Sequence, residues 1–284
     1  MIGHRLRMSS ISDLLFDPDR SYDLSIVVSD DANFISSLMD RVKTDKTIVL
    51  TSRGKDVNVR EGVIFYTYNR NLENSIYFMN FIERLIFRIF LGGYIKSDME
   101  VLLVSEYPFR FLLEFNSSAM PFYRVMEELS DIVDREVMEA LLKILFEIHL
   151  EGREGKRVGT LFIVGDTEKV MESSKQLVIN PYHNQEEDIR SLLNKENWES
   201  IKEFAQLDGA FIIDSRGRIL SAGRYILVDP HVQTTGGLGG RHLAAASITY
   251  ATDAVSFALS SSGTVRIFRN GKVVLKEDLN TSEG

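Results

Sequence analysis

The fold of this chain is decided by the stretch L-D-G-A-F-I-I at residues 207–213 and by G-G-L-G-G-R-H-L-A-A-A at residues 236–246. The first stretch puts a carboxylate, Asp208, on a tight turn that leads into an apolar run typical of a buried strand. The second is a glycine loop that opens into an alanine-rich helix, with Arg241 and His242 at the junction. Free N–H groups at a helix start and a guanidinium favour phosphate binding. A carboxylate near them can hold a metal or accept a proton, so the two stretches predict chemistry on a nucleotide.

Each of these features also has an ordinary structural explanation when it is taken alone. Asp208-Gly209 is a common turn dipeptide, and the glycine cluster at residues 236–240 is typical of many surface loops. Arg241 fits a surface residue, and His242 fits a helix-start histidine whose hydrogen bonds are satisfied. The cluster is not a Walker A loop, because no Gly-Lys-Ser/Thr ends it, and it does not directly follow a strand as a dinucleotide fingerprint does.

The composition indicates an ordinary globular protein that is long enough for two domains. The chain has 284 residues, of which 44% are hydrophobic and 26% are charged. It has no cysteine, which excludes disulfides, thiolate catalysis, zinc ribbons and iron–sulfur clusters and favours a cytoplasmic location. The first residues lead into no apolar signal core. Glu83, Arg84 and Arg88 interrupt the most apolar run, so we expect no membrane partner.

The charge is distributed unevenly along the chain. The net charge of −8 argues against a nucleic-acid partner. Residues 201–284 hold nine Lys/Arg and eight Asp/Glu, which leaves 24 basic and 33 acidic residues for residues 1–200. An anionic ligand is therefore expected on the nearly neutral part, which also carries the glycine loop.

Residues 1–120 are predicted to form a small, mostly parallel α/β domain, because short apolar strands alternate with helices. Ser29-Asp30-Asp31 is a helix-capping sequence, and a helix from about Leu72 to Leu91 is ended by Gly92-Gly93. The predicted strands are Leu24–Val28, Thr47–Leu50, Val63–Tyr66 and Met99–Val104.

Residues 121–284 are predicted to form a second α/β domain with a central mixed sheet flanked by helices. The exposed segment 151–157 is an alternative boundary, which we reject because the helix from about Phe122 to Leu150 looks like the first element of the second domain. Hairpin turns are predicted at residues 215–218 and at the Asn-Gly of residues 269–272. The remaining predicted helices are Thr167–Gln176, Glu186–Leu193, Trp198–Ala205 and one from Arg241. The predicted strands are Gly159–Val164, Ala210–Asp214, Ile219–Tyr225, Val255–Leu259, Thr264–Arg269 and Lys272–Leu275.

Residues from about Phe122 to Leu279 resemble the diadenylate cyclase (DisA-type) domain, a family that condenses two ATP molecules into cyclic di-AMP. The resemblance consists of seven short pieces that occur in the family's order and spacing. They are the strand at 158–164, Asp-Gly-Ala at 208–210, the hairpin at 217–223, the Gly-Arg-His loop and helix at 239–247, Thr-Asp-Ala-Val-Ser at 252–256, Gly263, and Arg-Asn-Gly-Lys at 269–272.

The sequence departs from the family pattern around the predicted phosphate site. Leu243 stands where the family has the second arginine of Arg-His-Arg, and Gly240 stands where it has threonine. Gln206 precedes Leu207, where many members have Leu-His, and Ser260–Ser262 replaces an acidic pair. The loss of one charged contact weakens phosphate binding by about 1.5–3 kcal/mol. Either another cation compensates, with Arg216, Arg218 and Arg224 as candidates, or the loop has a different geometry.

The resemblance implies roles for nine residues. Asp208 would bind a divalent cation, Mn²⁺ or Mg²⁺, near the attacking 3′-hydroxyl, and Gly209 would let the backbone approach. Arg241 would contact phosphate, and His242 would hold phosphate or pack beside the base. The implied catalytic residues are Asp208, Gly209, Ala210, Arg241 and His242. The implied ATP-binding residues are Leu207, Gly239, Gly240, Arg241, His242 and Ser247.

A ring made of two identical halves implies two catalytic domains that face each other across a two-fold axis, so we expect a homo-oligomer. The N-terminal domain resembles the pyruvate-kinase-C-terminal-like domain of an archaeal branch of the family, which implies a role in assembly or regulation. Two alternatives remain open: a nucleotide-binding sensor without turnover, and a scaffold whose N-terminal domain binds a partner. The other histidines lack metal-ligand spacing; they are His4, His149, His183 and His231.

Overall fold

A computed structural model describes residues 19–52, 64–67, 75–106, 110–227 and 239–280 of the chain. The chain divides into two compact units, one extending to Met120 and one from Pro121 to Asn280. Some predicted features lie outside the described residues: the first turn of the helix predicted from Leu72, residues 236–238 of the glycine loop, His4 and His231.

The first unit contains a mostly parallel sheet, which confirms the predicted architecture. Strands β5, β4, β2, β6 and β7, defined below, lie in that order; β2, β4, β5 and β6 are parallel, and β7 is antiparallel to β6. Strands β2 and β4 are buried along their whole length, as is typical of parallel strands covered on both faces. The described elements are β1 (Ser21–Tyr22), β2 (Leu24–Val28), α1 (Ala32–Met39), β3 (Lys43–Thr44), β4 (Thr47–Thr51), β5 (Ile64–Thr67), α2 (Ser75–Leu91), β6 (Glu100–Ser105) and β7 (Phe111–Asn116).

Two details of the first unit concern sequence signals. Asp31 caps α1, because its side chain accepts hydrogen bonds from the backbone N–H groups of Asn33 and Phe34. Strand β7 is absent from the sequence prediction, because its residues are only partly buried and show no clear apolar alternation.

The second unit contains the predicted mixed sheet. Its seven strands lie in the order β14-β13-β12-β8-β10-β11-β9, and β8 and β10 are its parallel pair. The described elements are α3 (Pro121–Glu128), α4 (Arg135–Glu151), β8 (Thr160–Val164), α5 (Thr167–Glu172), β9 (Ser174–Gln176), α6 (Trp198–Phe204), β10 (Ala210–Ile213), β11 (Ile219–Ile226), α7 (Gly240–Ala251), β12 (Val255–Leu259), β13 (Thr264–Arg269) and β14 (Lys272–Asp278).

The single helix predicted from Phe122 to Leu150 is wrong, because the chain forms α3 and α4 with a turn between them. The Ser130 hydroxyl donates a hydrogen bond to the Glu127 carbonyl at 2.7 Å, a local bond that competes with helix continuation. The Asp134 N–H donates to the Ser215 carbonyl at 3.0 Å, which ties the start of α4 to the β10–β11 hairpin.

Two further helix predictions are corrected around the same hairpin. The helix predicted to reach Gln176 ends at Glu172, because residues 174–176 pair with β11 as an edge strand. The helix predicted for Glu186–Leu193 is replaced by turns. The Ile219 N–H donates to the Arg190 carbonyl at 2.8 Å, and the Leu192 N–H donates to the Gly217 carbonyl at 2.9 Å. These tertiary bonds override the local propensity.

The segment 151–157 was predicted to be exposed, and this holds only in part. The Arg153 side chain is 12% exposed and pairs with Glu151, Glu199 and Glu203. The segment therefore folds back onto α6.

Side-chain amides complete the outer edge of β11 beyond β9. The Gln176 amide donates to the Ala222 carbonyl at 2.7 Å. The Asn180 amide donates to the Leu220 carbonyl at 2.9 Å and accepts from the Ala222 N–H at 3.2 Å. Residues 177–180 are therefore fixed alongside β11.

Candidate active site

A cleft of about 350 Å³ opens between the start of α7 and the strands β10 and β11. Its charged lining residues are Asp208, Arg224 and Arg241. The remaining lining residues are Leu161, Gly209, Ala210, Tyr225, Ile226, Gly240, Leu243 and Ala244. An apolar floor with a few converging charged groups is the usual form of a small-molecule site.

Asp208 presents an exposed carboxylate at the rim of this cleft. Its Oδ1 accepts a hydrogen bond from the N–H of Gly209 at 3.1 Å. Among the described residues, no cation pairs with this carboxylate. It is therefore available to a metal ion or a hydroxyl group of a ligand.

Gly209 fixes the position of Asp208. Its φ of +107° lies in the region that favours glycine, and a Cβ there would lie 2.7 Å from both the backbone N and O of Arg224. No side chain fits between the turn and β11. The next residue, Ala210, is buried and pairs with Arg224 across the two strands.

The start of α7 is open to the cleft. Gly239 is the N-cap, with no side-chain capping bond, and the first turn carries no acidic residue. A Cβ on Gly239 or Gly240 would meet no atom of the described residues within 4 Å. The N–H groups of His242 and Leu243 donate to the Gly239 carbonyl at 3.0 and 3.2 Å, whereas those of Gly240 and Arg241 precede the first bonds within the helix and are the ones that an anion could bind.

Arg241 carries a positive charge into the same space. It is exposed, and the described residues offer it no ion pair. Its Nη1 lies near Gly159, since a Cβ built on that glycine would be 3.5 Å from it, an ordinary van der Waals contact.

His242 does not line the cleft. It is 6% exposed, and its Nε2 accepts a hydrogen bond from Arg266 Nη1 at 2.8 Å. Burial, together with the charges of Arg266 and Arg241, lowers its pKa to about 4, so the imidazole is neutral at pH 7. One residue advances an α-helix by about 100°, so Arg241 faces the cleft while His242 faces β13.

The structure therefore brings together five of the nine predicted residues: Asp208, Gly209, Ala210, Gly240 and Arg241. Ser247 is buried on α7 outside the cleft lining, and Leu207 is half-buried behind the Asp208 turn. Gly239 caps α7 just outside the lining. His242, for which a contact with phosphate or the base is predicted, is buried and hydrogen-bonded to Arg266.

Sequence reasoning missed Leu161, Tyr225, Ile226 and Ala244 as lining residues. It named Arg224 as one of three cations that could replace the arginine missing at Leu243. Of those three, Arg224 lines the cleft, whereas Arg218 pairs with Glu187 and Arg216 is exposed on the hairpin turn. The sequence signal for Arg224 is the hairpin turn at residues 215–218. Pairing the two strands outward from that turn places Arg224 beside the Asp208 turn.

Two features are absent from the described residues. No group of three or more His, Cys, Asp or Glu residues is arranged to hold a metal ion. Within the described ranges, no helix has the length and apolarity needed to cross a membrane.

Comparisons with known proteins give one match whose position lies within the second unit. Residues 147–273 match the family described as "DisA bacterial checkpoint controller nucleotide-binding" (DAC). The chain is 43% identical over 159 residues to a diadenylate cyclase of Methanocaldococcus jannaschii, covering 55% of this chain and 50% of that protein. It is 39% identical over 148 residues to a diadenylate cyclase of Haloferax volcanii, covering 51% of this chain and 54% of that protein.

The chain thus spans about half the length of the curated relatives it matches. A crystal structure of a double mutant of DacA from Staphylococcus aureus superimposes with a TM-score of 0.34 and 19% identity, covering 49% of this chain and 85% of that one. The family match and the names of the two relatives agree: over about half of its length, this chain is similar to the diadenylate cyclase (DAC) domain family.

Proposed function

We propose that this protein is a diadenylate cyclase, a nucleotidyltransferase that condenses two ATP molecules into cyclic di-AMP with release of two pyrophosphates. The observation that carries the proposal is the cleft, where the unpaired carboxylate of Asp208 shares one space with Arg241 and the open start of α7. The names of the two archaeal relatives support the same activity.

The reaction forms and breaks one bond in each half. The 3′-oxygen of one ATP attacks the α-phosphorus of the other, the bond to the bridging oxygen breaks, and pyrophosphate leaves in line. The hydroxyl proton is lost to a base or to water. Proteins assist such transfers mainly by positioning the reactants and neutralising charge. Arg241 and the N–H groups of α7 would hold the triphosphate, and Asp208 would orient the attacking hydroxyl and draw its proton.

The donor set fits a divalent cation of the Mg²⁺ or Mn²⁺ type. Such ions bind through one or two carboxylates and complete their coordination with substrate phosphates and water. Asp208, exposed and unpaired among the described residues, offers that single carboxylate. A bound cation neutralises phosphate charge and lowers the pKa of the attacking hydroxyl.

The apolar floor suits an adenine base. Leu161, Ala210 and Ile226 are buried and line the cleft beside the charged groups. His242 has no phosphate contact in this proposal. As a neutral hydrogen-bond acceptor it positions Arg266 behind α7.

We propose a homo-oligomer because the product is symmetric. Each cleft offers one carboxylate and one triphosphate site, whereas the ring requires both twice, so two second units would face each other across a two-fold axis. We propose a domain boundary at residues 120/121 and assign the first unit, as a pyruvate-kinase-C-terminal-like domain, a role in assembly or regulation. We propose that the protein acts in the cytoplasm with ATP as its partner. It is proposed to bind neither nucleic acid nor a membrane.

Product analysis tests this function. The wild-type protein, incubated with ATP and Mg²⁺ or Mn²⁺, should give cyclic di-AMP. Asp208→Asn should still bind ATP but lose product by at least about 100-fold, because the carboxylate is removed. Asp131→Asn is the matched control, since this exposed carboxylate lies on the turn between α3 and α4, outside the cleft. A wild-type protein that binds ATP and forms no product would instead support the sensor function.

Mixing two inactive variants tests the two-fold arrangement. Asp208→Asn keeps the arginine, and Arg241→Ala keeps the carboxylate. If each half-reaction uses the Asp208 of one subunit and the Arg241 of the facing subunit, a mixed dimer restores one complete half-site, so the mixture should accumulate the linear dinucleotide, which neither variant makes alone. If the mixture stays as inactive as its components although the subunits exchange, the facing arrangement is wrong.

A further inference from the structure

Arg224 is the second arginine of the cleft, and the phosphate contacts assigned to Arg241 and α7 do not involve it. It lies on β11, opposite Ala210, and its backbone packs against Gly209. Arg241 and the open start of α7 line the same cleft from another element.

The guanidinium of Arg224 is held by uncharged groups. Its Nε donates to the Ser174 hydroxyl at 2.9 Å. Its Nη2 donates to the carbonyls of Met171 and Ser174, both at 2.9 Å. Its Nη1 makes a long bond of 3.4 Å to the side-chain oxygen of Gln176. One side of the guanidinium is therefore anchored to the end of α5 and to β9, whereas Nη1 is weakly engaged.

The charge of Arg224 is not balanced by the residues that hold it. Two other arginines of the second unit do pair with carboxylates: Arg153 with three glutamates and Arg218 with Glu187. In the described part of the chain, Arg224 has no such pair. Its half-buried setting lowers its pKa, which reflects the unfavourable desolvation of the cation. An anion entering the cleft would relieve this imbalance.

We infer that Arg224 is a second phosphate-binding cation of this site, with Nε and Nη2 fixed by the protein and Nη1 offered to the polyphosphate of the nucleotide. The inference rests on the proposed function, because it assigns the anion to ATP. An arginine anchored in advance loses little rotamer freedom on binding, so its contact with phosphate is strong.

A purely structural role is the competing explanation, since Arg224 also ties α5 and β9 to β11. The two roles differ in ligand dependence. A phosphate contact affects ATP and leaves adenosine unaffected, whereas a structural tie affects both ligands and lowers thermal stability. The effect of salt on ATP affinity also separates the two roles. If Arg224 contacts phosphate, removing its charge should make ATP affinity less dependent on salt concentration.

The experiment measures ATP and adenosine binding by calorimetry, without turnover. Arg224→Gln keeps donors for the two carbonyls and removes the charge. We expect ATP affinity to fall about 10- to 100-fold, as one lost charged hydrogen bond implies, with adenosine affinity unchanged. Arg216→Gln is the control, because it removes an exposed arginine from the hairpin turn outside the cleft.

A relocated charge provides the decisive variant. Leu243 lines the same cleft from α7, so Leu243→Arg in the Arg224→Gln background should recover ATP affinity at least several-fold. Arg224→Lys, which keeps the charge, should lose less affinity than Arg224→Gln. Should Arg224→Gln fail to fold, Arg224→Lys alone decides: an equal loss for ATP and adenosine overturns the inference.

The outcomes separate this inference from the proposed function. If the wild type makes cyclic di-AMP and Arg224→Gln binds ATP as tightly as the wild type, the inference is wrong and the function stands. If the wild type binds ATP without forming product, the cyclase function fails, but the Arg224 contact is still measured.

Discussion

The starts of α1 and α7 show how one structural feature serves two purposes. At α1, the Asp31 carboxylate accepts hydrogen bonds from the N–H groups of Asn33 at 2.8 Å and Phe34 at 3.3 Å. At α7, Gly239 offers no side-chain cap. The first helix satisfies its own N–H groups with its own carboxylate, whereas no described side chain caps the second, where we propose that an anion binds. A helix start is therefore a candidate anion site only where its cap leaves the N–H groups free.

The largest expected effect comes from making α7 resemble α1. Gly239 has a φ of −65° and open space around it, so Gly239→Asp fits the backbone. The new carboxylate would cap the helix and repel the triphosphate. Two like charges about 4 Å apart at an effective dielectric of 20 repel by about 4 kcal/mol. We expect ATP affinity to fall by at least about 100-fold with melting temperature unchanged or raised, as measured by calorimetry and thermal unfolding.

A neutral cap separates charge from hydrogen bonding at the same position. Gly239→Asn would occupy the same N–H groups without the negative charge, so its ATP affinity should fall less than that of Gly239→Asp. Wild-type ATP affinity in Gly239→Asp would contradict an anion site at α7.

The next effect concerns His242, which the start of α7 buries against Arg266. Its folded-state pKa of about 4 lies below the ordinary value of 6.5, because burial and the charges of Arg266 and Arg241 disfavour protonation. Folding favours the neutral form of His242. Its contribution to the free energy of unfolding is therefore fully present above pH 6.5 and is lost as the pH falls toward 4. The loss is roughly 3 kcal/mol.

Urea unfolding between pH 7 and pH 4 measures this loss, with His242→Gln as the comparison, since glutamine also accepts a hydrogen bond from Arg266. The free energy of unfolding of the wild type should decline more steeply than that of the variant. A midpoint at or above 6.5 for His242, measured by NMR titration, would instead indicate a cationic histidine of the kind expected at a phosphate site.

The smallest effect comes from opening α1. Asp31→Ala removes the cap, so the free energy of unfolding of the first unit should fall by about 1 kcal/mol. ATP affinity should not change, because α1 lies in the first unit and the cleft in the second. Thermal unfolding and calorimetry on one preparation check both statements. A loss of ATP affinity in Asp31→Ala would show that the two helix starts are not independent.

The sequence predicted the strands well because burial dominates their composition. Leu24–Val28 and Val255–Leu259 are apolar runs that are buried along their length, and the structure has strands with those bounds. The helix predicted for Glu186–Leu193 fails for the opposite reason. Its backbone bonds to the β10–β11 hairpin, a partner distant in sequence that no local pattern reveals.

The cleft was predicted in part, and the failures have a geometric cause. Arg241 and His242 are adjacent in the motif, but neighbouring helical residues point in different directions. The buried positions His242, Ala245 and Thr249 already carry the three-to-four-residue spacing that assigns the histidine to the core face. Tyr225 and Leu161 carry no motif, so only the assembled sheet reveals that they line the cleft.

The amides that border β11 determine how this sheet meets other chains. Gln176 and Asn180 engage the outward backbone groups of Leu220 and Ala222, which would otherwise template the addition of a foreign strand. At the opposite border, β14 displays Lys272, Lys276 and Glu277, side chains that discourage such pairing. Foreign strand addition is thereby disfavoured on the part of β11 that β9 leaves uncovered, by occupied hydrogen bonds, and along β14, by charge.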